Sequence, residues 1–318
     1  MRPRRGSHSR EANTRPPAAA AERPRLERLS GWLRAHQTQV IVLLVAFSVL
    51  IRAGYYWEAR DGPLLYGHRW SEADMSFFDH WAKVIVHGDP LGRQQLHPFF
   101  SWQTAPAEAH FRAHPEQIAQ YEAAGVPHGD RGALDRALWD RWTHGKEYYQ
   151  EPLYVYLIAL TYWLAGPSVG AVFWWQMVLG VVTNLMVYLL ARRYFGELAA
   201  VVSGLLILFY SPLFIYELTL LRTTLTALLA AAAVAALEWA LAGDKWLRWG
   251  ITGVAVGIAM ACQSTFSVFL AGCAGLVWLR FRATPRALLR PAAALVCGAA
   301  LAVSPIVTRN IVVGAPPF

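Results

Sequence analysis

Two long stretches of this chain, residues 152–191 and 249–279, contain no Asp, Glu, Lys or Arg at all. A membrane crossing needs about 20 consecutive apolar residues, so runs of this length read as membrane segments. The composition agrees. The chain is 55% hydrophobic, against about 45–50% apolar in an average soluble domain, and its mean hydropathy is +0.29. The expected fold is an all-α polytopic membrane protein. The three cysteines, Cys262, Cys273 and Cys297, all fall in apolar runs. They imply neither a disulfide framework nor a zinc site.

The net charge of +8 is not a nucleic-acid signature, because most of it sits in one tail. Residues 1–38 hold nine Arg and three Glu, and their Pro, Ala, Arg and Ser content predicts a disordered basic tail over 1–37. The positive-inside rule places that tail in the cytoplasm of a plasma (inner) membrane protein. The first span is expected at 38–57. Residues 58–168 then form a large extracytoplasmic loop, with interfacial helices near 72–87 and 152–165. The second of these is only 14 residues long, carries Tyr154, Tyr156, Tyr162 and Trp163, and is broken by Gly166-Pro167. A six-helix membrane bundle follows over 169–308, with spans at 169–191, 197–214, 223–242, two within 249–279 split near Gln263-Ser264, and one at about 290–308. An extracytoplasmic tail, 309–318, closes a count of about seven spans. Gly250, Gly253 and Gly257 share a face suited to close helix packing.

Within the loop, residues 58–151 hold fourteen acidic and nine basic side chains and eight of the ten histidines. Phe77, Phe78, Trp81, Val84 and Ile85 recur at helical spacing and give one apolar face, with Asp79 and Lys83 as an i,i+4 pair. Glu72 and Asp74 stand in the first turn. Ser71-x-x-Asp74 matches a capping box; the functional alternative is that Asp74 is a general base or metal ligand just outside the membrane. His110 and His114 share a helical face without a further ligand. Three arginines break the charge rule, Arg52, Arg222 and Arg309, each at the non-cytoplasmic end of a span. They either snorkel to the interface or form an anion site.

The order of four stretches resembles the GT-C glycosyltransferases that use polyprenyl-phosphate sugars, the family 39 and aminoarabinose-transferase type. These are DMSFFDHWAKVIVHGD, beginning at Asp74; YYQEPLYVYLIALTYWLAGPS (148–168); QMVLGVVTNLMVYLLARRYFG (176–196); and the pair YELTLLRTTL (216–225) and PIVTRNIVVG (305–314). The resemblance implies inverting transfer of a sugar from a polyprenyl-phosphate donor to an acceptor hydroxyl on the extracytoplasmic side. It implies Asp74 as base, with Glu72 second, and Arg222 and Arg309 on the lipid phosphate. Glu217 and Tyr154, in the matching stretches, are further substrate-binding candidates. No cofactor is certain; some relatives use a divalent metal and others do not, so metal stays open.

Departures are visible. Glu72 and Asp74 are separated by Ala73 where relatives carry adjacent acids, Gln263-Ser264-Thr265 stands where many carry a basic residue, and 93–147 has no counterpart. Relatives also continue beyond the equivalent of Pro316-Pro317-Phe318. A truncated product, an inactive remnant, or a split protein whose partner supplies the C-terminal part are the open readings of that ending. The expected partners are a membrane lipid-linked sugar and an acceptor that is a protein, lipid or polysaccharide. The competing functions are a glycolipid transporter or flippase, and a non-catalytic envelope-assembly scaffold.

Overall fold

The computed structural model describes residues 18–94, 97–143 and 145–317, with side chains from Arg25 onward. Fourteen α-helices and two short 3-10 turns account for its regular structure, and no strand occurs among the described residues. The chain is an all-α polytopic membrane protein. Four helices are long and apolar enough to cross a bilayer: α2 (Gln37–Ala59), α8 (Val169–Phe195), α11 (Thr223–Leu241) and α14 (Pro285–Val313). Helices α9 (Glu197–Leu208) and α10 (Ser211–Glu217) are bent by 53° and make a fifth if taken as one span. Pro212 sits in the first turn of α10, where its missing N–H is harmless and its fixed φ starts a new helix direction. Helices α12 (Trp246–Cys262) and α13 (Phe266–Phe281) are shorter than a full span and part at Gln263-Ser264-Thr265. Length and composition therefore give four or five spans, against the expected seven.

The basic tail differs from the expectation as well. Residues 1–17 lie outside the described residues, but Ala18–Ala35 forms a helix, α1. Leu26, Leu29 and Leu33 recur along it, Leu33 is buried, and Arg34 Nε approaches Glu197 Oε1 at 3.7 Å. Composition alone missed this, because the partner that orders the segment is the start of α9.

The two expected interfacial segments are helices α3 (Asp74–Val86) and α7 (Leu153–Ala165). They pack on each other. Phe77, Phe78, Trp81 and Ala82 of α3 share one buried cluster with Tyr154, Val155, Ile158, Ala159 and Tyr162 of α7. The apolar stripe of α3 is thus covered by protein. Asp79 fixes the pairing: it takes hydrogen bonds from Lys83 Nζ and Tyr162 Oη, both at 2.6 Å. Helix α7 ends at Gly166, whose φ of +75° suits a residue without Cβ.

Helices α12 and α14 touch backbone to backbone. A Cβ on Gly253 would overlap the Leu295 carbonyl, one on Gly257 would stand 2.7 Å from the Ala299 carbonyl oxygen, and one on Gly298 would overlap the Gly250 carbonyl. Small residues at this spacing let helices approach closely in a membrane, where association relies on packing rather than on water exclusion.

The loop insertion folds into helices α4 (Thr104–Ala113), α5 (Glu116–Ala123) and α6 (Arg131–Trp142) around Phe111, Tyr121 and Leu134. Asp130 caps α6 by accepting from the Ala133 amide at 3.0 Å. The unit is tied back by Ser101, whose amide and hydroxyl donate to Glu72 Oε2 at 3.1 and 3.2 Å, and by Arg136 donating to the His97 carbonyl at 2.8 Å.

Candidate active site

Asp74 is the first residue of α3. The helix is preceded by Ala73 in an extended conformation with no side-chain cap, so Ser71 and Asp74 do not form the capping box that their spacing allows. Asp74 is exposed and has no hydrogen-bond partner among the described residues. It lines a cavity of about 540 Å³ together with Phe78, Gln150, Arg222, Thr226 and Gln263. Nearby, burial and then the negative charge of Asp74 raise the Tyr149 phenol above its ordinary value.

Arg222 reaches this cavity from the N-terminal edge of α11, where it is the N-cap residue. Its guanidinium donates to Glu151 Oε2, and Glu151 Oε1 accepts the Ser264 amide at 2.6 Å. One carboxylate therefore joins the loop segment before α7, the start of α11 and the turn between α12 and α13. Burial pushes the Glu151 carboxyl up, but the Ser264 hydrogen bonds, with the Arg222 charge, outweigh it and hold it below its ordinary value. Thr223, Thr265 and Phe266 also line the cavity, so the N-terminal ends of α11 and α13 both meet its wall. Helix N-termini favour an anion through their free N–H groups and dipole.

The segment that carries Arg222 is set by a buried polar chain. Tyr154 Oη donates to Gln176 Oε1 at 2.8 Å, and Gln176 Nε2 donates to the carbonyls of Glu217 and Thr219 at 3.0 and 2.9 Å. Tyr154 is fully buried and serves here as a positioning group for residues 217–219.

The other candidates lie elsewhere. Glu217 is buried and pairs with Arg52 of α2 at 2.8 Å. Arg52 is not at the rim; it also donates to Ser48 and lies 5.1 Å from the Phe214 ring centre. Gly180 makes room for the pair, since a Cβ there would overlap Glu217 and stand 2.8 Å from Arg52 Nη2. Arg309 is also buried. It donates to the carbonyls of Leu91 and Lys146, both at 2.6 Å, to that of Gly92, and to Asn310 Oδ1 at 3.0 Å, and it stacks 4.1 Å over Tyr148. It clamps the loop onto the end of α14. The three rule-breaking arginines thus do not share one anion site: Arg222 faces the Asp74 cavity, Arg52 is paired inside the bundle, and Arg309 holds backbone. Glu72 is engaged with Ser101.

Among the described residues no three His, Cys, Asp or Glu side chains converge as a metal set. His110 faces Gln117 at 3.1 Å, and His114 lies 3.5 Å from Glu116. Sequence reasoning passed over Glu151, Gln150, Thr226 and Gln263 as site residues. The first two stand inside the quoted YYQEPLYVYL stretch, but nothing local marks Glu151 as the partner of a residue 71 positions away.

A loop-side cavity in a membrane helix bundle, with a carboxylate and a guanidinium on its walls, suits transfer from a lipid-anchored phosphate ester. The class is the membrane glycosyltransferases of the GT-C type. The chain belongs to the dolichyl-phosphate-mannose-protein mannosyltransferase family, whose family model matches residues 149–309, half of the chain. The match holds Arg222, Glu151 and Arg309 and begins after Asp74. No curated protein and no solved structure gave a match.

Proposed function

We propose that this chain transfers a sugar from a polyprenyl-phosphate donor to an acceptor hydroxyl on the extracytoplasmic side of the plasma (inner) membrane, with inversion at the anomeric carbon. The observation that carries this reading is the shared cavity of Asp74 and Arg222. Asp74 takes the proton of the acceptor hydroxyl as its oxygen attacks the anomeric carbon. The bond from that carbon to the phosphate oxygen breaks on the opposite face. The leaving polyprenyl phosphate gains negative charge, which Arg222 and the N-terminal ends of α11 and α13 stabilise. Glu151 and Tyr154 act through placement: the first fixes the Arg222 side chain, the second the backbone just before it.

Orientation follows from charge. Arg34, Arg192, Arg193, Arg248 and Arg280 are linked by their contacts to Glu197, Glu238, the Trp239 carbonyl and Asp244, all near the helix ends remote from α3. Basic residues gather on the cytoplasmic side. This supports an orientation with the N-terminus inside and the α3 loop outside.

The test is transfer from polyprenyl-phosphate mannose by the purified chain in nanodiscs, with Asp74→Asn alongside. Loss of transfer in a variant that is folded and inserted as wild type supports the reading. Full activity in that variant removes Asp74 as the base.

A further inference from the structure

The insertion lies before the family match and carries a cavity of its own, about 640 Å³, between α4, α5 and α6. That volume falls within the range of about 300–1,000 Å³ usual for small-molecule sites. Its lining combines Tyr121, Trp139 and Trp142 with Gln117, Gln120 and Arg141. Three indoles meet edge to face: Trp102 to Trp139 at 5.6 Å and 75°, Trp139 to Trp142 at 5.7 Å and 87°. Trp139 is locked in place by its ring N–H, which donates to the Gln103 carbonyl at 3.0 Å. Trp142 is 75% exposed and Trp102 58%.

Flat rings bared to solvent, beside side-chain amides and a guanidinium, match the two faces of a sugar. A pyranose offers a patch of C–H groups that packs on an aromatic face and a rim of hydroxyls that pairs with amides. A membrane surface would instead ask for a convex apolar knob with basic flanks. This site is recessed, and Gln117, Gln120, His110 and Glu116 stand on its walls.

We infer that the cavity of the 97–143 insertion is a glycan-binding site that stacks a hexose ring on Trp142 and holds its hydroxyls through Gln117, Gln120 and Arg141. The insertion is tethered to Glu72, two residues before Asp74. A glycan seated there is therefore presented on the same side as the catalytic cavity, which makes it an acceptor subsite. That last step rests on the transferase reading; the binding itself does not.

The test uses the full chain in nanodiscs, with mannotriose and N-acetylchitotriose as probes in saturation-transfer NMR. At least one trisaccharide should bind wild type, with affinity falling at least tenfold in Trp142→Ala and in Gln120→Leu; both side chains are exposed, and Gln120→Leu leaves the Trp139–Trp142 contact in place. In nanodiscs of brominated lipid, the quenching should be the same in Trp142→Phe as in wild type. Failure of both trisaccharides to bind, unchanged binding in both variants, or lipid quenching that is weaker in Trp142→Phe than in wild type would each overturn the inference, the last in favour of a membrane contact. The two readings fail separately: binding without mannose transfer defeats the transferase, and transfer without binding defeats the glycan site.

Discussion

Glu151 holds Arg222 with one carboxylate oxygen and the Ser264 amide with the other. The cation on the wall of the Asp74 cavity is therefore not a free side chain at a membrane edge. Its position depends on three segments meeting at one acidic residue. Arg222 is only half-buried, so the value of the pair lies in geometry rather than in stability.

Replacing Glu151 by Gln should raise the KM for polyprenyl-phosphate mannose and lower kcat. A misplaced catalytic group costs on the order of 100-fold. Steady-state kinetics on Glu151→Gln and Arg222→Lys should show both parameters moving; if both variants match wild type, Arg222 does not hold the donor phosphate.

The hydrogen bonds from Ser264, with the Arg222 charge adding less, give Glu151 a pH dependence. The Glu151 carboxyl is held below its ordinary 4.5 in the folded state. A depressed carboxylate stabilises the fold fully above the unfolded value and ceases to do so as pH falls through the folded one. Thermal unfolding in micelles should therefore show the gap between wild type and Glu151→Gln above pH 4.5 and lose it progressively below.

Asp74→Asn should reduce transfer by roughly 10²–10⁴-fold, the usual share of a general base, and leave the thermal midpoint unchanged, because Asp74 has no hydrogen-bond partner among the described residues. Glu72→Gln should do the reverse. Transfer should persist, and hydrogen exchange at 97–103 should quicken as the Ser101 tether weakens. Inactive Glu72→Gln with active Asp74→Asn would exchange the two roles.

Gly180→Ala should destabilise the bundle by about 1–3 kcal/mol, the usual cost of overpacking, because the new methyl overlaps Glu217 and crowds Arg52. Gly253→Ala should do the same at the α12–α14 contact. Thermal unfolding in micelles checks both. A neutral result at Gly180 would mean that the Arg52–Glu217 pair repacks freely.

Arg309→Ala should leave the carbonyls of Leu91, Gly92 and Lys146 without their donor. A buried acceptor left so, as at Gly92, costs about 1–3 kcal/mol. Limited proteolysis should then cut faster within 88–94, while the rate constant for transfer changes through loop position rather than through loss of phosphate contact.

Much of this was legible from spacing and hydropathy. The charge-free runs announced helices, the Gly166 break and the Gln263-Ser264 break fall between helices, and the Gly250–Gly257 face does meet another helix. Other features misled. Leu26, Leu29 and Leu33 form a helix that a basic, Pro-rich composition hides. The capping spacing of Ser71 and Asp74 is real but unused, since Ala73 occupies the cap. Arg52 and Arg309 look like rim cations in the sequence, yet one is paired 165 positions away and the other is enclosed by carbonyls.

The sequence by itself determined a helical membrane chain, its large polar loop, and the residue types able to carry phosphate-ester chemistry. These follow from hydropathy, helical period and turn residues, all read within a few neighbours. Only the tertiary structure decided which arginine shares a cavity with Asp74, that Glu151 pairs with it, and that the insertion holds a cavity. The reason is physical: a buried charge keeps whatever partner helix packing brings to it, and that packing turns on details such as a missing Cβ at Gly180, which carry no local signal of the pair they admit.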